Sequence, residues 1–551
     1  MAKKKVVIVG GVAGGATCAA RLRRLDEDAS IVILDRGQYV SFANCGLPYY
    51  VGNVIHDEAK LLLATPELFR ERFNIEVRTR SEATGIDRDA CTVAVRDLES
   101  GREYIEPYDA LVLSPGAVPI CPPVPGVDLP GIFTLRTIPN SRQIREWIEQ
   151  KKPHKAVVVG GGFIGLEMAE NLAHRGMTVT IVEMADQLMP PLDPEMAEYV
   201  REQLIARGVH LHLSDGAAGF EQSGSGGLRV RTQAGAAFEA DLVVLSIGVR
   251  PETEIARNAG LEIGDRGGIR VDSRMCTSDP RIWAVGDAVE VRNRVTDRWE
   301  LVPLAGPANR QGRIAADAIC GREAHFDGVF ATAVCGAFGL TTAQTGVTEK
   351  ALRIAGITDF QSIYLHPNHH VGYYPGAKRM HMKLLFRTPD GLILGAQAVG
   401  EAGVERRIDV IAAAMQMKAT VYDLEAMELC YAPQYGAAKD PVNMAGMIAA
   451  NVLRGDMDLA PWQELDDTGA YLVDVREPHE FRRDSIDGAV NIPLGQLREK
   501  LSELPRDREI WISCEIGQRG YYACRILAQH GFRVRSLSGG YQTYRVLYPL
   551  G

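Results

Sequence analysis

The sequence predicts an α/β chain with two dinucleotide-binding units, a mixed segment of short strands and helices, and a further α/β domain at the C-terminal end. Two glycine-rich turns, each between an apolar run and a helical pattern, support the first part of this prediction. A separate strand, loop and helix pattern after residue 460 supports the last part. The 551 residues leave room for several domains of roughly 100–200 residues each.

Composition and charge exclude several classes of function. The net charge of −9 argues against nucleic acid or an anionic membrane as the main partner. No apolar run approaches the roughly 18 residues that a membrane span needs. The ten cysteines form no Cys-x-x-Cys pair and no zinc or disulfide pattern. We therefore predict a cytoplasmic protein that binds no metal, nucleic acid or membrane.

The first dinucleotide unit opens the chain. Residues 6–9 form an apolar run, followed by a turn that contains Gly10, Gly11 and Gly14 and by a helical pattern over about 16–26. The next apolar run ends at Asp35. Glycines let backbone amides approach a pyrophosphate at a helix start, and the acid binds a ribose hydroxyl. Val12 replaces the usual middle glycine, so the motif is partial.

The second dinucleotide unit carries the complete motif. Gly160, Gly162 and Gly165 follow an apolar run, a helix is predicted over about 164–175, and the next strand ends at Glu183. A carboxylate at this place accepts hydrogen bonds from a ribose 2′-hydroxyl and repels a 2′-phosphate. The sequence therefore predicts a preference for NADH over NADPH.

Three later strand ends complete the two units. Strand-then-glycine segments run over 111–117 and 243–251, and they contain Ser114, Gly116 and Gly248. A third strand ends in Gly286-Asp287. An aspartate there can hold the ribityl or pyrophosphate side of a flavin.

A single cysteine, Cys45, lies in a loop of small residues over 41–50, just after the first unit. A thiol beside a flavin can take electrons from it and pass them to a sulfur substrate. Without a second cysteine beside it, Cys45 is expected to be oxidised as a mixed disulfide, a persulfide or a sulfenic acid.

A second cysteine whose sequence context favours sulfur chemistry lies near the C-terminus. Cys514 follows a predicted strand at 510–513 and opens a loop that leads through Arg519 into a helix. Loop amides and an arginine favour an anion, so we expect them to lower the thiol pKa and to stabilise a persulfide.

These motifs resemble known families. Residues 1 to about 450 resemble the flavoprotein disulfide reductases with two dinucleotide-binding domains, and residues 41–49 resemble their single-cysteine branch of coenzyme A-disulfide reductases and NADH oxidases. The C-terminal segment resembles a rhodanese domain, although residues 484–487 depart from the common Gly-His-Ile-Pro. The resemblance implies two Rossmann-like domains for FAD and NADH, an α+β dimerisation domain and an α/β rhodanese domain. The predicted boundaries are 1–150 with 250–324 for FAD, 151–249 for NADH, 325–450 for dimerisation and 460–551 for rhodanese.

The resemblance also implies site residues. Those expected to bind the two cofactors are Gly10, Gly11, Ala13, Gly14, Asp35, Arg36, Ser41, Asn44, Ser114, Gly116, Asp287, Leu304 and Ala305, with Gly160, Gly162, Gly165, Glu183 and Gly248. Those expected to bind coenzyme A are Thr17, Arg21, Arg24, Ser41, Asn44, Arg72, Tyr373 and Tyr431. Those expected to take part in the chemistry are Cys45, Cys514, Tyr373, Tyr431 and Arg519.

Two tyrosines are implied to reach across a homodimer towards the partner's redox cysteine. Tyr373 and Tyr431 match the family motifs best, and their neighbours Tyr374 and Tyr435 remain open as alternatives. A tyrosine hydroxyl near the redox sulfur can protonate or stabilise a leaving thiolate.

The function expected from these observations is NADH-dependent, FAD-mediated reduction of coenzyme A disulfide, persulfides and polysulfide, with Cys45 as the redox cysteine and Cys514 handling sulfane sulfur. One alternative is an NADH oxidase or peroxidase with a sulfenic acid at Cys45. Another is a redox-responsive sensor or sulfur carrier that serves a protein partner. The sequence leaves open the preferred acceptor, a relay from Cys514 to Cys45, docking of the rhodanese domain in cis or trans, and the source of the sulfur.

Overall fold

The computed structural model describes residues 3–224, 226–467 and 469–549. The chain divides into two compact units. The first contains the residues up to Asp186 together with Gly208–Ala331, and the second contains Gln187–Arg207 together with the residues from Thr332 onwards.

The first glycine-rich turn belongs to a parallel five-stranded sheet in the first unit. The apolar run at its centre is buried on both faces, as expected of a parallel sheet covered by helices. The strands from one edge to the other are Ile282–Ala284, Ala110–Leu113, Lys5–Val9, Ser30–Leu34 and Glu76–Arg78.

The second glycine-rich turn belongs to another parallel five-stranded sheet of the first unit. Its central strand again leads directly into the turn and is flanked by the strand that ends before Glu183. The strands in order are His210–His212, Thr178–Val182, Lys155–Val159, Leu242–Leu245 and Ile132–Thr134.

Helices and small sheets complete the first unit. Helix Ala13–Leu25 begins three residues before the predicted start, within the glycine turn. Its other helices are Leu47–Val51, Pro66–Phe73, Ile138–Lys151, Phe163–His174, Glu254–Asn258 and Ala305–Ile319. Its small sheets are formed by Ser81–Asp87, Thr92–Asp97 and Glu103–Pro107; by Ala217–Gln222, Leu228–Thr232 and Ala237–Ala240; by Ala117–Pro119 and Val249–Pro251; and by Ile269–Arg270, Val289–Arg292 and Trp299–Leu301.

The second unit begins with an antiparallel five-stranded sheet, which bears out the mixed character expected of this segment. The strands in order are Ala333–Ala337, Leu340–Gly346, Ile393–Gly400, Met380–Arg387 and Phe360–Leu365. The accompanying helices are Pro194–Ala206, Glu349–Ala355, Val404–Gln416, Val421–Ala426 and Pro441–Leu453.

A parallel sheet with helices follows in the same unit. Its strands in order are Leu459–Ala460, Val534–Leu537, Ile510–Ser513, Tyr471–Asp474 and Val490–Asn491. Its helices are Pro478–Arg483, Gln518–Gln529 and Tyr541–Leu547. The central strand Ile510–Ser513 is fully buried and delivers the chain to Cys514. One apolar cluster joins this sheet to Tyr364 of the antiparallel sheet.

Candidate functional site

The first glycine turn is too tight for side chains at two of its positions. Gly10 has a φ of +91°, and a Cβ there would lie 2.1 Å from the Ser114 carbonyl oxygen. A Cβ at Gly15 would lie 1.9 Å from the Gly10 carbonyl oxygen. The backbone therefore closes directly against the helix start, and only glycine permits this approach.

The acid at the end of the next strand is bound to the same turn. One carboxylate oxygen of Asp35 accepts a hydrogen bond from the Gly11 N–H at 2.9 Å, and the other accepts one from Gly37 N–H at 2.8 Å. Burial raises the pKa of Asp35. N–H groups at a helix start can donate to a pyrophosphate, and a carboxylate fixed beside them can accept from the hydroxyls of an adenosine ribose.

The other residues predicted for this site come from strand ends at the same edge of the sheet. Ser114 accepts a hydrogen bond from Gly15 N–H at 3.1 Å, and Gly116 has a φ of +76°. Asp287 lies in a short turn after Ile282–Ala284, and burial raises its pKa. Leu304 and Ala305 begin the helix whose Gly312 packs against the Gly14 backbone. Ala13 begins helix Ala13–Leu25.

Arg36 differs from the rest of this set because its guanidinium forms an ion pair with Glu252, a residue that the sequence patterns did not indicate. Arg136 also bonds Glu252 and the Pro115 carbonyl oxygen.

The tight turn, the fixed Asp35 and the converging strand ends fit a flavin dinucleotide.

The second glycine turn repeats this arrangement. Gly160 has a φ of +110°, and a Cβ there would lie 2.4 Å from the Ser246 carbonyl oxygen. A Cβ at Gly165 would lie 2.0 Å from the Gly160 carbonyl oxygen, whereas Gly162 faces open space. Gly248 has a φ of +109°. The residues present fit a second dinucleotide.

Glu183 occupies the position of Asp35 in this second unit. One of its carboxylate oxygens accepts a hydrogen bond from the Gly161 N–H at 2.6 Å, and the other accepts one from Ala185 N–H at 2.8 Å. The acid is therefore held at the turn, where a nucleotide ribose would lie, and its charge disfavours a 2′-phosphate.

The loop that carries Cys45 is attached to the first glycine turn. Ser41, whose φ is +47°, donates its N–H to the Gly11 carbonyl oxygen at 2.8 Å. Asn44 and Cys45 lie in a single helical turn before helix Leu47–Val51, and both are exposed. This attachment fixes the redox loop relative to the predicted flavin site.

Negative charges act on the Cys45 thiol. Desolvation by the surrounding protein raises the pKa of Cys45, and the carboxylates of Glu167 and Asp287 raise it further. Glu167 accepts a hydrogen bond from the Tyr49 hydroxyl at 3.1 Å, and burial raises the pKa of this acid as well. Glu167 was not predicted as a site residue. The sequence feature that could have indicated it is an acidic residue within the largely apolar helix Phe163–His174.

The basic residues predicted to bind coenzyme A differ in ion pairing and exposure. The Arg21 guanidinium forms an ion pair with Asp317 at 2.8 Å, and its side chain is mostly buried. Arg24 and Arg72 are exposed, and neither has an ion pair within the described residues. Thr17 donates its hydroxyl to the Asn309 side chain at 2.5 Å.

The predicted tyrosine pair meets in the second unit. The hydroxyl oxygens of Tyr373 and Tyr431 lie 2.9 Å apart, so one donates to the other. Both side chains are exposed, as are those of Tyr374 and Tyr435. Their hydrogen bond raises the pKa of Tyr373. The structure thus joins the two tyrosines that match the motifs best.

Two consecutive arginines connect the chain segments that carry these tyrosines. Arg407 is buried and donates to the His369 carbonyl oxygen at 2.7 Å and to Asp440 at 2.9 Å. Arg406 donates to the carbonyl oxygens of Cys430 and Tyr435. This bonding holds both segments at the start of helix Val404–Gln416.

Cys514 is enclosed by its own loop. The residue is 1% exposed, and its sulfur accepts hydrogen bonds from the N–H groups of Gly517 and Gly520, each at 3.2 Å. Gly517 has a φ of +92° at the start of helix Gln518–Gln529. The loop therefore directs backbone N–H groups at the sulfur, an arrangement that accommodates an anion.

The pKa of Cys514 corrects the expectation from the sequence. Burial raises the pKa of this thiol, and it outweighs the loop amides and Arg519, which lower it. Arg519 is also not a free cation, because both of its terminal nitrogens bond Glu480 at 2.7 Å. Glu480, which was not predicted as a site residue, has its pKa lowered to about 2 by this pairing.

A second buried ion pair supports the same loop. Arg476 and Asp474 are fully buried and bonded through several nitrogen–oxygen contacts, the shortest at 2.8 Å. Arg476 also donates to Glu515, the residue after Cys514, at 3.2 Å. The Tyr541 ring lies 4.5 Å from the Arg476 guanidinium carbon.

No group of three or more His, Cys, Asp or Glu side chains that could hold a metal ion is found in 3–224, 226–467 and 469–549. In the described part of the chain, no helix is long and apolar enough to cross a membrane.

Comparison with protein families divides the chain into three matches. The pyridine nucleotide-disulphide oxidoreductase model matches residues 4–312. The dimerisation domain of the same group matches residues 332–440, and the rhodanese-like domain matches residues 461–546. These matches confirm the predicted fold class and the predicted family resemblance.

Individual relatives agree with the family matches. Coenzyme A disulfide reductase of Staphylococcus haemolyticus is 34% identical over 82% of this chain and 100% of its own length. The structure of reduced CoADR-RHD from Bacillus anthracis is 46% identical, covers 100% of this chain and 99% of its own, and has a TM-score of 0.97. The structure of an NAD-dependent persulfide reductase from A. fulgidus is 38% identical, covers 98% and 100%, and has a TM-score of 0.91.

Proposed function

Because the chain belongs to the pyridine nucleotide-disulphide oxidoreductase family, we propose that it reduces coenzyme A disulfide, persulfides and polysulfide with NADH through bound FAD. The observation that carries the proposal is the exposed Cys45 on a loop bonded to the first glycine turn. Relatives named as a coenzyme A disulfide reductase and a persulfide reductase support the substrate class.

The two glycine turns are assigned to two cofactors. Gly10, Gly14 and Asp35 would hold FAD, and Gly160 and Glu183 would hold NADH, with the remaining predicted residues around them. Bound FAD supplies the chemistry that converts a hydride into two electrons for a sulfur centre. The boundaries proposed for the domains remain 1–150 with 250–324, 151–249, 325–450 and 460–551.

Cys45 is the proposed nucleophile. Its thiolate attacks one sulfur of coenzyme A disulfide, the S–S bond breaks, and coenzyme A leaves as a thiolate that takes up a proton. The product is a mixed disulfide between Cys45 and the second coenzyme A. Two electrons and one proton then cleave this bond and release the second thiol, while Cys45 returns to the thiolate. With a coenzyme A persulfide, the group that leaves in the first step is hydrosulfide.

The tyrosine pair is the proposed proton source for the leaving thiolate. The hydroxyls of Tyr373 and Tyr431 are hydrogen-bonded to each other and exposed, so a second copy of the chain can bring them to its partner's Cys45. We therefore propose a homodimer. The phosphate groups of coenzyme A would meet Arg24 and Arg72, which are exposed and form no ion pair with any residue that the structure describes. Arg21 would contribute only through its pair with Asp317.

Cys514 is the proposed carrier of sulfane sulfur. The N–H groups of Gly517 and Gly520 already point at the sulfur and would stabilise the anion of a Cys514 persulfide. Arg519 adds positive charge beside the loop, although Glu480 balances it. Polysulfide and protein persulfides are the donors that depend on this site, since coenzyme A persulfide can react with Cys45 directly.

The proposal is tested by steady-state NADH consumption with four acceptors: coenzyme A persulfide, coenzyme A disulfide, oxygen and hydrogen peroxide. We expect kcat/KM for the two coenzyme A substrates to exceed the values for oxygen and peroxide by more than about a hundredfold. A higher value for oxygen or peroxide would favour the oxidase alternative with a sulfenic acid at Cys45.

The choice of nicotinamide cofactor has its own test. Glu183 is fixed by two backbone N–H groups and would repel a 2′-phosphate, so we propose that NADH is used much better than NADPH. The measurement is kcat/KM for both cofactors in the unmodified protein and in a variant that combines Glu183→Ala with a nearby arginine. The variant should show a smaller difference in kcat/KM between NADH and NADPH. Equal efficiency in the unmodified protein would contradict the assignment.

A further inference from the structure

One short segment lies directly behind the Cys514 loop. We call residues 538–543 the backing segment. Tyr541 donates its N–H to the Cys514 carbonyl oxygen at 2.7 Å, and Gln542 donates its N–H to the Glu515 carbonyl oxygen at 3.1 Å. The Gln542 side chain also donates to the Glu515 carboxylate at 2.8 Å. The first two residues of the sulfur loop therefore depend on the backing segment for their position.

The opposite side of the backing segment is bonded to the antiparallel sheet and to helix Pro194–Ala206. Tyr364 donates its N–H to the Ser538 hydroxyl at 2.9 Å, and the imidazole of His366 shares a hydrogen bond with the Thr543 hydroxyl at 2.9 Å. The Tyr199 hydroxyl donates to the Gln542 carbonyl oxygen at 3.0 Å. All of these contacts lie within the second unit.

The groups around these bonds are closely packed. Thr543 is fully buried, and His366 is 4% exposed. A Cβ at Gly539 would lie 2.8 Å from the His366 ring, and a Cβ at Gly540 would lie 2.1 Å from the Cys514 carbonyl oxygen. Two glycines thus let the backing segment fit between the sheet and the sulfur loop. A displacement on one side is transmitted to the other, because close-packed interiors have little room to absorb it.

We propose that Tyr199, His366 and Thr543 are positioning residues for sulfur transfer at Cys514, acting through the backing segment. The inference rests on the function proposed for Cys514 and deepens it. The antiparallel sheet and helix Pro194–Ala206 then do more than carry the rhodanese-like domain: they set the loop geometry in which Gly517 and Gly520 direct their N–H groups at the sulfur.

The reaction affected is the loading of Cys514. The Cys514 thiolate attacks the outer sulfur of an organic persulfide, R–S–SH. The S–S bond breaks, the thiolate RS⁻ leaves and takes up the proton, and a Cys514 persulfide remains. No net oxidation or reduction occurs. The loop amides bond the attacking thiolate and the product persulfide anion, so a displaced loop weakens both.

Two variants of the full-length protein remove single hydroxyl groups from this contact. Thr543→Val removes the bond to His366, and Tyr199→Phe removes the bond to Gln542. The probe is glutathione persulfide, and the measurement is the rate of Cys514 loading, followed by mass spectrometry of the peptide that contains it. We expect loading to fall about fivefold in each variant, the effect of one neutral hydrogen bond, and further when both are combined.

Tyr548→Phe is the matched control. This hydroxyl donates to the Trp462 carbonyl oxygen at 2.5 Å within the same domain, and Trp462 bonds the backing segment at Ser538, the end away from Thr543. Its loss should leave Cys514 loading within about twofold of the unmodified protein. Thr543→Ser, which keeps a hydroxyl, should restore the rate. Unchanged loading in both Thr543→Val and Tyr199→Phe would overturn the proposal.

A second readout separates this inference from the function on which it rests. The pH dependence of Cys514 alkylation by iodoacetamide gives the apparent pKa of the thiol without any sulfur donor. Displaced amides should raise that pKa in Thr543→Val and Tyr199→Phe but not in Tyr548→Phe. If neither glutathione persulfide nor polysulfide loads Cys514 in the unmodified protein, the proposed sulfur role fails, and the alkylation pKa still decides the positioning. An unshifted pKa would overturn it.

Discussion

Cys45 and Cys514 occupy opposite kinds of environment. Cys45 is exposed on a loop, and the nearby charges that act on it are the carboxylates of Glu167 and Asp287. Cys514 is buried and accepts two backbone N–H groups. In both thiols the pKa is raised and desolvation is the largest cause, but nearby charges raise the pKa of Cys45 further, whereas Arg519 lowers that of Cys514.

The difference suggests different requirements. A redox cysteine has to be reached by a substrate on one side and by the flavin on the other, and exposure serves that purpose. A sulfur carrier has to keep a persulfide anion away from water and from other thiols, and an enclosed amide loop serves that purpose. If the two sites are as independent as their environments imply, substitutions at one should leave the chemistry of the other intact.

The largest effect is expected from Cys45→Ser. The glycine turns, Asp35 and Glu183 bind the cofactors without this side chain, so the variant should keep its flavin and still accept hydride from NADH. Turnover with coenzyme A disulfide and persulfide should fall by more than about a thousandfold, since no other thiol replaces the nucleophile. Stopped-flow flavin absorbance measures reduction of the flavin by NADH, and steady-state NADH oxidation measures turnover with the sulfur substrates. Persulfide reduction that persists would remove Cys45 from the mechanism.

Cys514→Ser should produce a selective loss. Coenzyme A persulfide can react at Cys45 directly and should keep its kcat/KM within about twofold. Polysulfide or a protein persulfide should lose about tenfold or more, which corresponds to roughly 1.4 kcal/mol of activation free energy. An obligatory relay through Cys514 predicts an equal loss with every donor. A uniform collapse would therefore contradict the independence of the two sites, and no change at all would leave Cys514 without a role in this reaction.

The sequence predicted the backbone of each site better than its charges. Gly10, Gly160 and their following acids are local patterns, and the structure shows the tight turns that these patterns require. The order of strands at one sheet edge also follows from parallel topology, which places Ser114 and Asp287 near the same turn.

The partners of charged side chains could not be predicted in the same way. Arg519 meets Glu480, 39 positions away, and Arg21 meets Asp317, 296 positions away. Such pairings depend on tertiary packing, which periodicity and spacing do not specify. The predicted direction of the Cys514 pKa shift was wrong for a related reason. The sequence indicated the loop amides, but it did not indicate the depth of burial that outweighs them.

An intermediate effect is expected when the amide loop is strained. Gly517 has a φ of +92°, which costs an alanine roughly 1–2 kcal/mol, so Gly517→Ala should shift its N–H away from the Cys514 sulfur. We expect Cys514 loading by glutathione persulfide to slow by about tenfold. Gly520→Ala is the control, because its Cβ would stand 3.7 Å from the sulfur in ordinary contact, and its N–H is retained. Equal rates in the two variants would show that the Gly517 amide is not needed.

The smallest effect concerns the carboxylates that act on Cys45. Only the thiolate is alkylated, so below the thiol pKa the rate rises about tenfold for each pH unit. Glu167 raises the pKa of Cys45, and Glu167→Gln removes that charge while keeping the shape of the side chain. The pKa should fall, and alkylation of Cys45 at pH 7.5 should become about two- to fivefold faster, with the whole rate profile displaced towards lower pH.

Glu170→Gln provides the comparison for this effect. Glu170 lies one helical turn further along Phe163–His174 and raises the pKa of Glu167, but it is not among the charges that act on Cys45. Its loss favours the ionised form of Glu167, so alkylation of Cys45 should not accelerate. Cys514 should keep its own alkylation profile in both variants, because its pKa depends on burial, loop amides and Arg519. Parallel shifts of both cysteines would show that the two thiols respond to one common change, and the contrast between the two sites would then be wrong.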